Sequence, residues 1–175
     1  MALELTPKNL FDYWIDYIFA VEGFYSDVKH DRGGKTYWGL TENYLKRLKL
    51  APPQNADEAR SIYKIHIWNR WQVDKLPPLI GWTYADAIVN HGKYRAAILL
   101  QTGLGVDRDG QVGPKTLQAA RDANVLSYWS AYRQARVNHY TNIIKRNSTQ
   151  FKFYEGWMNR MFRMMEWAYS AKLLS

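Results

Sequence analysis

Apolar residues recur at helical spacing through most of this chain, and the first such run ends on a carboxyl. Thr6-Pro7 is a helix start, a hydroxyl N-cap followed by proline in the first turn. Leu10, Phe11, Trp14, Ile15, Ile18 and Val21 then share one face. Glu22 lies four residues after Ile18 and continues that apolar stripe, and Gly23 ends the pattern. Residues 24 to 40 lose the helical period. Gly33-Gly34 signals a turn, and Lys35-Thr36-Tyr37-Trp38 reads as a short strand, which predicts a small hairpin.

Helical patterning then returns. Thr41 caps a helix over about 42 to 48, which Ala51-Pro52-Pro53 breaks. Asn55 caps the next, carrying Ala59, Ile62, Tyr63, His66 and Trp68, and Pro77-Pro78 breaks again. Residues 79 to 90 form a nearly apolar, buried helix ending at Gly92. A further helix runs through Ala96 to Leu100 to near Gly103, Pro114 opens another, and two longer patterns cover roughly 124 to 146 and 154 to 173. The expectation is a mainly helical chain with one small β element, without internal repeat or linker.

Composition narrows the class. At 175 residues the chain suits one domain or two small packed lobes. With 47% hydrophobic and 23% charged residues it is an ordinary globular chain rather than a disordered one. Eight Trp and 13 Tyr provide core volume, and also flat faces with polar edges that stack on sugar rings. The net charge of +8 favours polyanionic partners such as acidic envelope polymers, but Lys and Arg are spread along the chain, so no nucleic-acid partner is expected. The absence of cysteine excludes disulfides and thiolate chemistry. His30, His66, His91 and His139 lack ligand spacing, so neither a metal nor a cofactor is expected. Glu4, Asp12 and Asp16 interrupt the N-terminal apolar run, which reads as neither signal peptide nor membrane anchor.

The candidate chemistry lies in the segment E-x8-D-x4-T formed by Glu22, Asp31 and Thr36. Cleaving a glycosidic bond needs a carboxylic acid that gives a proton to the leaving oxygen. An apolar face and the negative end of a helix both favour the protonated form of Glu22. A second carboxylate must stay ionised to stabilise an oxocarbenium-like centre or orient water. Asp31, between His30 and Arg32 in a polar loop, suits that task, with Thr36 folding back beside it; Asp27 is the alternative. A carboxyl separation of about 6.5–9.5 Å would mean inversion, and about 5–5.5 Å retention. Tyr25, Tyr37 and Trp38 flank the site as candidate cleft walls, and Asn90 and His91 as polar groups across it. Hairpin packing accounts for the former equally, and helix capping for Asn90.

Ordered landmarks carry a family likeness. Glu22-Gly23-Phe24-Tyr25, Asp31, Gly33-Gly34, Thr36 and Trp38-Gly39-Leu40-Thr41 resemble the E-G-G-Y…D-P-G-G-x-T-x-x-G-I-T signature of glycoside hydrolase family 108, which are N-acetylmuramidases common among phage endolysins. Phe24 stands in place of the second glycine and Arg32 in place of the proline. Ile62-Tyr63, Trp68, Leu76-Pro77 and Asp86 through Gly92 follow in the family's order. Downstream, Leu100-Gln101, Gly103-Leu104-Gly105, Asp109-Gly110, Gly113-Pro114 and Thr116-Leu117 resemble predicted peptidoglycan-binding modules.

The resemblance implies a mainly α (α+β) fold: a lysozyme-like helical domain over 1–92 with a β-hairpin at the active site, and a helical lobe over 93–175, packed as one unit. It implies lysozyme activity on the β-1,4 bond between N-acetylmuramic acid and N-acetylglucosamine, with Glu22 as general acid and Asp31 and Thr36 assisting. It further implies a monomeric, bacteriolytic endolysin that leaves the host cytoplasm through a holin-type membrane hole and acts on periplasmic peptidoglycan. A lytic transglycosylase and a non-catalytic wall-binding or phage structural protein are the competing readings. The C-terminal segment from Phe151 mixes Arg160, Arg163 and Lys172 with Trp157, Met161, Met164 and Trp167. It reads either as a helix docked on the core or as one pressed on an anionic envelope or membrane surface.

Overall fold

The computed structural model describes residues 9–23, 25–26 and 35–174. The expected Thr6-Pro7 helix start, and Asp27, His30, Asp31, Arg32 and Gly33-Gly34, lie outside them. Helix α1 (Leu10–Glu22) buries the predicted stripe, with Trp14, Ile15 and Ile18 fully inaccessible. It closes at Gly23, whose N–H donates to the Phe19 carbonyl.

Strands β1 (Tyr25–Ser26), β2 (Thr36–Tyr37) and β3 (Leu40–Thr41) form an antiparallel sheet in that order. Tyr25 stands opposite Tyr37, and Thr36 opposite both Ser26 and Thr41. The expected strand through Trp38 is shorter than predicted. Trp38 and Gly39 both take positive φ, 50° and 81°, so the chain reverses there in a two-residue turn and a third strand follows. Thr41 then caps α2 (Glu42–Leu48), its hydroxyl accepting from the Tyr44 N–H at 3.2 Å.

Asn55 caps α3 (Ala56–Tyr63) through the Glu58 N–H at 2.9 Å. This helix continues as a π-helical stretch, Lys64–Asn69. Its wider turn keeps Tyr63, Ile67 and Trp68 in the core while His66 stays only half-buried. Helix α4 (Pro78–His91) opens on proline and is buried without break from Leu79 to Ile88, which explains its lack of a polar face. Helices α5 (Lys93–Leu104), α6 (Pro114–Asp122), α7 (Val125–Arg146) and α8 (Tyr154–Ser170) complete the chain.

One apolar cluster runs from Leu10 to Ala168, so α1, α4, α5, α7 and α8 share a core. Trp167 of α8 packs on Tyr13 and Tyr17 of α1, with ring centroids 5.1 and 5.8 Å apart. The C-terminal segment therefore docks through Met161, Met164 and Ala168, while its other face exposes Phe162 and Tyr169.

Candidate active site

Glu22 sits in the last turn of α1, where the stripe and the helix end coincide. Its side chain is 26% exposed. Two groups fix it. Gly39, at the sheet turn, lies so close that a Cβ built there would come within 2.7 Å of the Glu22 Cγ. The second group is Arg160, whose guanidinium Nη1 donates to the Glu22 carboxylate across 138 residues of sequence. The apolar stripe and helix end thus describe only part of the environment of Glu22; a cation from α8 supplies the rest.

Arg160 is shared. Its Nε donates to Asp86 Oδ1 at 3.0 Å, and its Nη2 lies 2.8 Å from the same oxygen. Asp86, fully buried in α4, also accepts from Arg136 of α7 and from the Tyr17 hydroxyl at 2.9 Å. Burial alone would push the Asp86 carboxyl up; the two guanidiniums more than reverse this and hold it well below the usual carboxylate range. Tyr140 and Tyr132 accept from Arg136 at 3.0 and 3.3 Å. Two carboxylates and two guanidiniums thus form one buried chain joining α1, α4, α7 and α8. Nothing in the spacing of residues 22, 86, 136 and 160 announces this; the one signal was that Asp86 interrupts an otherwise apolar helix.

Tyr63 joins the sheet to this centre. Its hydroxyl donates to the Trp38 carbonyl at 2.9 Å. Burial, then the nearby Glu22 charge, raise its pKa well above the ordinary tyrosine value, so it remains a neutral donor.

The remaining candidates divide. Thr36, Tyr37 and Trp38 are half-buried on or beside the sheet, within the same loop-and-helix end as Glu22. Of Tyr25 the backbone pairing with Tyr37 is described. Asn90 and His91 face α7: Asn90 donates to the Tyr140 hydroxyl at 3.3 Å, and the His91 ring lies 4.9 Å from His139 and 5.4 Å from Tyr140. From the same helix end, Val89 and Gly92 instead line a cavity of about 580 Å³ that Gly39 and Tyr63, which adjoin Glu22, also line.

The second motif acts on its own loop. Gln101 Nε2 donates to Asp109 at 2.6 Å and to the Gln111 carbonyl at 3.0 Å, and its Oε1 accepts from the Gly110 N–H at 2.9 Å. The motif residues Gln101, Asp109, Gly110 and Thr116 hold the turn before α6.

A helical body with a small sheet beside a half-buried carboxyl at a helix end is the lysozyme-like arrangement, and it defines the class. The family model for glycosyl hydrolase 108 matches residues 15–92, and that for a predicted peptidoglycan domain matches residues 95–162. Among solved structures, the chain is similar to Brucella abortus SagA at 27% identity and a TM-score of 0.78, over 94% of this chain and 97% of that one. No curated protein matches the sequence. Residues 15–92 thus match the glycosyl hydrolase 108 family and residues 95–162 a peptidoglycan domain, which together support a glycoside hydrolase acting on peptidoglycan.

Proposed function

We propose that the protein is an N-acetylmuramidase, with lysozyme activity on the β-1,4 bond between N-acetylmuramic acid and N-acetylglucosamine, and that Glu22 is its general acid. The observation that carries this is the placement of Glu22. A half-buried carboxyl ends α1 inside the family-matched segment, pressed against Gly39, which also lines the cavity, and held by Arg160. To donate, Glu22 must carry a proton. Asp86 offers Arg160 a second carboxylate, so the guanidinium keeps a counter-ion independent of Glu22.

Asp31 is proposed as the ionised partner that stabilises the oxocarbenium-like centre or orients water, aided by the Thr36 hydroxyl on β2, with Asp27 the competing choice. Tyr25, Tyr37 and Trp38 are proposed to wall the sugar site. In the same proposal the protein is an endolysin. Passage through a hole made by another protein is part of the same proposal; among the described residues no helix is long and apolar enough to cross a membrane.

The test is reducing-end release from purified peptidoglycan. Glu22→Gln is expected to lower the rate by about 100-fold or more with its melting temperature retained, the size of a lost general acid. Wild-type activity in that variant would remove Glu22 from the role. Mass spectrometry of the products separates hydrolysis, which adds water, from a transglycosylase, which leaves 1,6-anhydro ends. Asp31→Asn beside Asp27→Asn identifies the second carboxylate by the larger loss.

A further inference from the structure

The cavity beside Glu22 is basic and aromatic. Tyr44 and Arg47 of α2, His66, Arg70 and Trp71 around the π-helical turn, and Lys93 at the start of α5 line it, and among the described residues no Asp or Glu does. Arg47 lies 6.0 Å from the Tyr44 ring centroid; Arg70 and Lys93 lie 5.4 and 4.7 Å from that of Trp71. All three cations are exposed, and none forms an ion pair with a carboxylate among the described residues. Among the described residues, Arg60 pairs with Asp16, Lys46 with Glu42, and Arg136 and Arg160 with Asp86; what sets Arg47, Arg70 and Lys93 apart is that they share one cavity.

Three like charges drawn toward one hollow repel one another, and each rests on an aromatic face instead of a counter-ion. Such an arrangement lacks its anion. Guanidinium forks match carboxylates bidentately, and two flat rings support an extended chain laid between them. Gly39 and Tyr63, which adjoin Glu22, are part of its lining, so its occupant lies close to whatever Glu22 cleaves. A glycan stripped of stems offers only the lactyl carboxylate held at each N-acetylmuramic acid ring. The short peptides hung from peptidoglycan carry free α-carboxylates further from the sugar, at the reach of a cavity set to one side of Glu22.

We propose that this cavity is a peptide-stem subsite, in which Arg47, Arg70 and Lys93 receive the stem carboxylates while Tyr44 and Trp71 pack along the stem. It rests on the muramidase reading for the closeness to Glu22, but binding can be measured without turnover. The subsite makes the enzyme a reader of stems as well as sugars: it favours strands whose stems carry free carboxylates over strands stripped of stems or amidated.

The experiment uses the full chain carrying Glu22→Gln, so that nothing is cleaved, and titrates in a free stem tetrapeptide followed by calorimetry or NMR. The same peptide with its carboxylates amidated is the control. The unamidated peptide is expected to bind, and to bind about tenfold more weakly once amidated. The same loss is expected when Arg47→Gln, Arg70→Gln and Lys93→Gln are combined; all three sites are exposed, so the fold is retained. No binding by the parent chain, or equal binding of both peptides, or equal binding by the triple variant, overturns the proposal. A second arm compares hydrolysis of intact peptidoglycan with that of stem-free glycan by the wild type and the triple variant carrying an intact Glu22. Loss confined to the stemmed substrate supports the subsite, and equal loss on both overturns it. Hydrolysis of neither by the wild type defeats the muramidase reading and leaves the peptide titration to judge the subsite alone.

Discussion

At the scale of single residues, Asp86 governs more than its own burial. It is fully inaccessible, and two guanidiniums and a tyrosine hydroxyl converge on it. Neutralising one member of a buried ionic group leaves the others uncompensated, at about 3–5 kcal/mol. Asp86→Asn is therefore expected to lower the melting temperature by roughly 10 °C or more in a chain of this size. A melting temperature within a degree or two of wild type would show that Arg136 and Arg160 find other partners. Glu22 itself was legible in the sequence, as the carboxyl that closes an apolar stripe. Its counter-ion was not, because Arg160 stands among the other basic residues of a terminal helix and only tertiary packing chooses it over Arg163. Asn90 and His91 show the converse: their position beside the helix end pointed across a cleft, but the rotation of α4 turns both toward α7.

Among the elements, the turn between β2 and β3 has the tightest link to the site. Gly39 has φ 81°, and an added Cβ would meet the Glu22 Cγ and Cβ at 2.7 and 2.8 Å and the Tyr63 hydroxyl at 2.8 Å. Gly39→Ala therefore meets both backbone strain, at about 1–2 kcal/mol, and the side chain of Glu22, the proposed acid. Displacing a reacting group by an ångström costs up to about 100-fold in rate. The expected result is a modest fall in stability with a much larger fall in activity, measured on the same preparation. Unchanged activity would mean that the turn moves independently of α1. Several helix starts were readable, since Thr41, Asn55 and Pro114 cap or open helices as expected, whereas Pro78, read only as a break, opens α4 and Asn124 caps α7. The π-helical turn was not, because a helix with one residue too many per turn has no signature in apolar spacing. The peptidoglycan-domain motif was readable as a motif, but its Gln101, Asp109 and Gly110 satisfy one another within a loop.

For the whole molecule, the seam between α4 and α7 sets the response to acid. Burial, then Arg136 and His139, lower the His91 pKa to about 2; burial, then Arg95, Arg136 and Arg146, lower that of His139 to about 4. In the unfolded chain both titrate near about 6.5. Below that pH the unfolded chain gains protons that the fold refuses, so stability falls as pH drops from about 6.5 toward about 4 for His139 and on toward about 2 for His91. Asp86, whose pKa is depressed, adds a further loss only at the acid extreme. Urea melts at pH 7 and pH 4.5 are expected to show this decline, and His139→Gln to make it shallower. Equal stability at both pH values would contradict it. The same seam joins both family-matched segments, with Glu22 and Asp86 from the first and Arg136 and Arg160 from the second. A ribosome delivers Glu22 138 residues before Arg160. The nascent chain thus carries Glu22 without the guanidinium that holds it, and the assembled centre arises only once α8 has been made and packed. In the proposed enzyme it is the arrival of α8 that arms the cut.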